Sequence, residues 1–409
     1  MAAPRLKVAL YYPWVYLHGG PERVISELLA RSRHQWTVFT NRYEPESTFP
    51  ALKRADIVQL SEVSVKRTLL QTLRSAFRLA CQKLPLTDHQ VLVVFCEGLG
   101  DLVTARTSVP SVCLCLTPLR VAFDPFYQER YLQMAGGQLW RRPLVKVASL
   151  LFRMIDRRLW RSYKRVFAIS KEVRKRILNA RLYPRDQVQI LYPGVDISRL
   201  TPTGVYSRDF IIPGRIMWTK NLELAIAAFR LLLGRRPDLG HFTLTMAGQV
   251  DAKSKPYFQK LRQLAQGVEQ IRFRVGPTDE ELFELSSASY AVVYPPFNED
   301  WGLAPIEGMA LEKPVIAVNR GGPSESVLDG ETGLLVEPTP EAFAAAMEKL
   351  ADDFNLVRTM GKKARLRAAE FNWAEFCEKL DACVEELTAV SEPPALRDLT
   401  SMKIALEGN

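Results

Sequence analysis

Histidine is scarce in this chain: four residues in 409, at positions 18, 34, 89 and 241. The six cysteines, at 81, 96, 113, 115, 377 and 383, show no zinc-site spacing. Cys113 and Cys115 form only a C-x-C, with no nearby His or Cys to complete a tetrahedral set. They read as buried thiols of a reducing cytoplasm, with no metal site. No apolar run reaches the length of a membrane span, so no transmembrane helix is expected. The opening MAAPRLKVALYYP enters a strand-like run at once and lacks the three regions of a secretory signal. Neither a G-x-G-x-x-G turn nor a Walker loop is present, which removes the simplest dinucleotide and P-loop readings.

What is there is globular. Hydrophobic residues make up 47% and charged residues 24% of the chain, and its length favours two domains over one. The net charge of +10 is uneven: residues 1–200 hold 32 basic and 15 acidic side chains, and the remainder 23 and 30. Such asymmetry fits a polyanionic or membrane-surface partner for the first half, or simply a basic surface.

Short apolar runs alternate with helical patterns. VALYYP (8–13), WTVFT (36–40), VLVVF (91–95), SVCLCL (111–116) and RVFAIS (165–170) read as buried strands, with helices near 22–33, 65–84, 142–164 and 171–180. The order repeats with strands at 210–212, 242–248, 271–276, 290–295 and 314–319, and helices near 220–234, 254–267, 278–287 and 303–311. This alternation predicts an α/β chain of two Rossmann-like, doubly wound parallel-sheet domains facing a cleft. The expected domains are 1–195 and 205–372, joined through the turn-rich YPGVDISRLTPTG (192–204), then a helix 373–390 returning to the first domain and a tail 391–409. In such sheets ligands gather beyond the carboxyl ends of the strands, so the post-strand loops carry the interest.

Three loops stand out. FNEDWGLAPIEG (297–308) follows a strand and leads into a helix starting near Leu303, with Pro305 in the first turn and no Ser or Thr to cap it. Free N–H groups at a helix start attract anions, and a carboxylate one turn in suits hydroxyls. Glu299 and Glu307 therefore flank a phosphate-and-sugar site, or one is dipole-stabilised and the other solvated. PGRIMWTKN (213–221) offers Arg215 and Lys220, a fork and a point charge suited to a diphosphate, although basic loop residues are common. YLHGGPERVISEL (16–28) carries Gly19 and Gly20, which permit a tight turn and close backbone approach to a ligand.

E-x7-E at Glu299 and Glu307, G-R-x4-K-N at 214–221, Gly-Gly-Pro-Glu-Arg at 19–23 and GGPSE at 321–325 together resemble the retaining GT-B-fold glycosyltransferases, most closely family four, which use nucleotide-diphosphate sugars. The resemblance runs from about residue 6 to 390. It implies that Arg215 and Lys220 hold the donor diphosphate, that Glu307 binds the ribose, and that Glu299 faces the donor sugar. It further implies that backbone amides of Trp301, Gly302, Leu303 and Ala304 meet sugar hydroxyls and phosphate, and that Gly19 and Gly20 approach the diphosphate from the other domain. No metal or other cofactor is implied, and no D-x-D, the metal-binding signature of the other large glycosyltransferase fold, occurs.

One departure stands out. Where relatives carry His-Thr-Pro-x-Arg-x-x-Trp-Asp, this chain reads Leu116-Thr117-Pro118-Leu119-Arg120-Val121-Ala122-Phe123-Asp124. Leu116 can neither hydrogen-bond nor move a proton. A non-catalytic homologue is thus the alternative reading, and His18 is not expected to substitute. Thr117 and Arg120 fall on the acceptor side and lean toward the mannosyl or rhamnosyl branch of the family, with GDP-mannose the favoured donor among UDP- and GDP-sugars. The expected acceptor is a lipid-linked or cell-envelope glycan. Two amphipathic segments, 64–84 with Arg67, Arg74 and Arg78, and 141–165 with Lys146, Arg153, Arg157, Arg161 and Lys164, are ordinary domain helices or attachments to an anionic membrane. Val147, Leu151, Ile155 and Leu159, like Leu69, Leu73, Phe77 and Ala80, fall on faces apart from those charges. The expected location is cytoplasmic, peripheral on the membrane. No nucleic-acid motif accompanies the charge.

Overall fold

In a computed structural model, residues 5–64, 69–134 and 141–391 are described. The expected tail, Arg67 and the first turn of the 64–84 segment lie outside the described residues. The chain divides into two compact units. The first holds the described residues up to Ile169, Val173–Leu191 and those from Ala374 onward, and the second holds Ser170–Glu172 and Tyr192–Trp373.

The first unit is built on a seven-stranded parallel sheet: β1 (Lys7–Tyr11), β2 (Gln35–Thr40), β3 (Ile57–Gln59), β4 (Val91–Glu97), β5 (Ser111–Thr117), β6 (Tyr163–Ala168) and β7 (Val188–Ile190). Its spatial order is β3-β2-β1-β4-β5-β6-β7, the doubly wound arrangement. The central strands are apolar and rich in β-branched residues because both faces are covered; Val91 to Cys96 are wholly buried. The second unit repeats the plan with β8 (Asp209–Pro213), β9 (Thr243–Gly248), β10 (Ile271–Val275), β11 (Ala291–Tyr294), β12 (Val315–Val318) and β13 (Gly333–Val336), ordered β10-β9-β8-β11-β12-β13. Its strands pair in parallel, with β8 in register on β9 (Phe210 on Leu244) and on β11 (Phe210 on Ala291). The α/β fold with a parallel sheet in each of two domains is as expected from the alternation.

Local signals set the helix ends. Thr278 and Glu281 form a reciprocal capping box at Asp279–Ala288, and Thr339 and Asp353 cap the helices Pro340–Asp352 and Phe354–Ala368. The helix Trp373–Ser391 is held within the first unit over Ala374 onward. Asp381 there accepts from Ser32 Oγ at 2.6 Å and Arg33 N at 3.1 Å, and Arg33 reaches Glu378 at 2.8 Å and Glu385 at 2.7 Å. The cysteines are free thiols; five are buried, but Cys81 ends the helix Leu69–Cys81 and is exposed, against the sequence expectation. Among the described residues no helix is long and apolar enough to cross a membrane.

The helix Leu303–Ala310 packs on β11 with Gly308 directly against the Val292 side chain. A Cβ at Gly308 would lie 2.5 Å from Val292 Cγ2. Gly308→Ala is therefore expected to destabilise the second unit by about 1–3 kcal/mol through overpacking, read by urea unfolding. Unchanged stability would show that this helix and strand pack more loosely.

Candidate donor site

Strand β8 ends at Pro213, and the chain turns through Gly214 at φ 125°. The turn has no room for a side chain on its neighbour: a Cβ on Gly248 would fall 1.8 Å from Gly214 O. This packing delivers Arg215 and Lys220 beyond the carboxyl ends of β8 and β11. Asn221 takes the left-handed conformation at φ 52° and donates to Pro295 O at 3.2 Å, tying this loop to the end of β11.

Lys220 Nζ forms an ion pair with Glu299 Oε2 at 2.7 Å, both side chains about 20% exposed. It also donates to Tyr294 Oη at 3.3 Å and lies 5.5 Å from the centre of that ring. Tyr294 is buried at the end of β11; burial first, then the Glu299 carboxylate, pushes its phenol well above its usual value, so it stays protonated. Arg215 is half-buried and lines a small pocket with Lys220, Tyr294 and Pro295. Its guanidinium makes no hydrogen bond or ion pair among the described residues.

The loop carrying Glu299 is held from below by backbone. Gly322 N donates to Glu299 O at 3.0 Å, and Glu299 bridges Gly321. A Cβ on Gly321 would meet Glu299 O at 2.4 Å, and one on Gly322 would meet Trp301 O at 2.1 Å. Only Gly-Gly fits there, and Gly321 also sits at φ 72°. The Trp301 side chain is an anchor: it is 2% exposed, donates to Pro193 O at 3.0 Å, and packs on Tyr192 and Phe371. Gly302, at φ 97°, then starts the helix Leu303–Ala310 with no side-chain cap. The N–H groups of Leu303 and Ala304 therefore open the helix beside Glu299, and Glu307 lies half-buried at its second turn.

The other residues singled out by the sequence lie in the first unit. Gly19 is the N-cap of the helix Gly20–Arg31 at φ −117°, and neither Gly19 nor Gly20 has positive φ. Neither position strictly requires glycine: the one close neighbour is the end of a side chain that can move. A Cβ on Gly19 would lie 2.6 Å from Glu22 Oε2, whereas nothing stands within 4 Å of a Cβ on Gly20. His18 packs on the Phe49 ring at 4.6 Å. Leu116 and Thr117 end β5, both buried, and Thr117 Oγ1 accepts from Arg176 at 3.2 Å. Arg120 pairs with Asp124 at 3.1 Å and lies over Tyr127 at 4.6 Å.

One buried cluster has the composition of a metal site: Cys96, Asp101 and Cys113 place ligand-type atoms within 4.8 Å of one another. The Cys96 and Asp101 atoms are already engaged with protein partners. Cys96 Sγ donates to Asp101 Oδ2 at 2.7 Å and Tyr163 Oη to Oδ1 at 2.5 Å, and burial raises the Asp101 pKa toward the neutral acid. The arrangement is a hydrogen-bonded core contact.

The comparisons with known proteins follow the same division. Residues 18–199 match the model described as Glycosyltransferase Family 4, and residues 205–367 the model described as Glycosyl transferases group 1. The chain carries two glycosyltransferase domains in succession. It is similar to Alpha-1,3/1,6-mannosyltransferase ALG2 of Mus musculus, 28% identical over 94% of this chain and 98% of that one. It is 30% identical to D-inositol 3-phosphate glycosyltransferase of Corynebacterium diphtheriae over 48% of this chain and 50% of that one. Among solved structures, Anabaena Alr3699/HepE in complex with UDP and glucose has a TM-score of 0.70 at 17% identity, covering 93% of this chain and 100% of that chain. This likeness gives the GT-B fold.

Within the group 1 domain, the structure gathers Arg215, Lys220, Glu299 and the Gly302–Ala304 helix start in one place. Sequence reasoning misses Tyr294 and Asn221. A tyrosine closing a buried strand just before a loop is the available signal for the first. For the second, the signal is the residue itself, an asparagine before a helix being a type that tolerates positive φ. A double-mutant cycle of Lys220→Met and Glu299→Gln in the ligand-free protein is expected to give a coupling on the order of 1 kcal/mol. A coupling of zero would show that the pair is apart in solution.

Proposed function

We propose that the protein is a retaining hexosyltransferase that moves mannose from GDP-mannose to a hydroxyl of a lipid-linked glycan. The observation that carries this reading is the half-buried Arg215, whose guanidinium has no partner among the described residues, beside Lys220 and an uncapped helix start. Preorganised cations and N–H groups of this kind stabilise charge that develops on a departing diphosphate. The relative from Mus musculus, named a mannosyltransferase and matched along nearly its whole length, supports the sugar. The Anabaena neighbour, solved with UDP and glucose, supports a nucleotide-diphosphate donor.

In this reading the bond from the sugar C1 to the phosphate oxygen breaks while the acceptor oxygen bonds to C1 on the same face. The acceptor proton passes to the departing phosphate oxygen. Arg215 and Lys220 neutralise the leaving diphosphate, and the amides of Gly302, Leu303 and Ala304 meet phosphate and sugar. Glu307 receives the ribose hydroxyls. Glu299, which orients Lys220, faces the sugar as it becomes oxocarbenium-like. The protein's own cations stand in for a metal ion. Because the phosphate carries the proton, Leu116 is compatible with turnover. Thr117 and Arg120 belong to the acceptor side, where Arg120 is held by Asp124. The enzyme acts at the cytoplasmic face of a membrane, drawn there by the basic first unit. A second reading, a non-catalytic sugar-nucleotide-binding homologue, is favoured by Leu116 alone.

Arg215→Ala and Glu307→Ala are each expected to weaken donor binding about tenfold or more, a loss of at least one charge-assisted contact, measured by calorimetric titration with GDP-mannose. Unchanged affinity in both would remove the site assignment. Glu299→Gln is expected to lower kcat far more than donor affinity, and full turnover would overturn its role. Donor hydrolysis by the wild type should persist in excess chelator; hydrolysis that stops, and returns with added divalent cation, would contradict the metal-independent step. Donor binding without any hydrolysis or transfer would favour the non-catalytic reading.

A further inference from the structure

Two helices of the first unit carry a broad apolar stripe on their outer side and bury, beside Val145 and Leu79, polar side chains. In the helix Arg141–Leu159, the inward positions include Ser149 at 5% exposure and Asp156 at 1%. Its outward stripe is Leu144, Val147, Leu150, Leu151, Met154 and Ile155, each between 48% and 61% exposed. The helix Leu69–Cys81 shows a similar pattern: Ser75 and Leu79 are buried, while Leu70, Leu73 and Phe77 are 51–72% exposed. Two of the arginines expected on a solvated face turn inward instead. Arg153 donates to Ala122 O at 2.5 Å and Arg157 to Ala180 O at 2.9 Å.

Both helices lie on one face of the sheet. They are the crossovers from β3 to β4 and from β5 to β6, which run the same way along the sheet, and right-handed connections then fall on the same side. Between them the β4–β5 crossover is only the short 3₁₀ segment Gly100–Arg106, and both helices pack against it. The two apolar stripes therefore flank one short segment. Monomeric soluble proteins rarely leave so many large apolar side chains together in water. Exposed Arg74, Lys146, Arg158, Arg161 and Lys164 lie on or just past the same helices.

We propose that this face is a membrane-insertion surface, in which the apolar stripes of Leu69–Cys81 and Arg141–Leu159 enter the interface of an anionic bilayer while the flanking Lys and Arg side chains meet lipid phosphates. Apolar stripe and basic rim together are the complement of an anionic lipid surface: buried area supplies the hold and charge the attraction. The inference takes its direction from the lipid-linked acceptor proposed above, but it concerns the first unit alone and is tested without donor or acceptor.

The test is vesicle co-sedimentation of the full chain with phosphatidylcholine vesicles, with and without phosphatidylserine, at low and high salt. Wild type is expected to sediment with the anionic vesicles and to keep a substantial part of that binding at high salt, where screening removes simple ion attraction. Leu150→Glu/Met154→Glu and, separately, Phe77→Glu should each reduce binding tenfold or more while leaving GDP-mannose affinity unchanged. Four outcomes overturn the proposal: no vesicle binding; binding that vanishes at high salt and ignores these substitutions; a wild-type dimer that they convert to monomer, which would assign the face to a second copy; or vesicle binding that appears only after residues 392–409 are deleted, which would assign it to the chain's own tail. Vesicle binding without donor binding would leave this inference standing and remove the proposed reaction.

Discussion

The contact on which the candidate donor site depends is one between backbones. The loop from Asn298 to Gly302 rests directly on Gly321 and Gly322, with a hydrogen bond from Gly322 N to Glu299 O and no space for a Cβ at either glycine. That contact fixes three things at once. It places the Glu299 side chain against Lys220, buries Trp301 as a wedge against Tyr192 and Phe371, and lets Gly302 open a helix without a side-chain cap. An open helix start and a cation pair are the elements of an anion site; the first derives from this close approach, and the second from the equally close packing of Gly248 on Gly214.

The architecture is legible in the sequence because its signals are strong and repeated. Buried parallel strands must be apolar on both faces, and the five runs named in each half are all strands. Of the strands in the two large sheets, the pattern misses β3, β7 and β13, which are three or four residues long and lie at sheet edges, where a short segment carries no period. The post-strand loops are equally legible, since fold topology alone directs attention to them. What cannot be read is contact. GGPSE is visible as a pattern, but its work, receiving the Glu299 loop, depends on residues about twenty positions away being brought onto it. Glu325 of the same pattern accepts the backbone N–H groups of Lys171 and Glu172 at 2.8 Å, a packing role no spacing could disclose.

The amphipathic helices show the opposite failure. Periodicity separates an apolar from a basic face, and the ordinary rule turns the apolar one inward. Here Ser149, Asp156 and Ser75 point in and the aliphatic stripes point out. Arg153 and Arg157 direct their charge at backbone carbonyls. The period is right and the direction is reversed, because only the neighbouring sheet decides which stripe is covered.

The central claim is that a nucleotide-diphosphate sugar sits between the Arg215–Lys220 loop and the helix start at Gly302. Amide hydrogen exchange with and without GDP-mannose tests this most directly. The account predicts slowed exchange in peptides spanning 214–221 and 299–306, with residues of β10 unchanged. Slowed exchange elsewhere while both segments remain unaffected would contradict it.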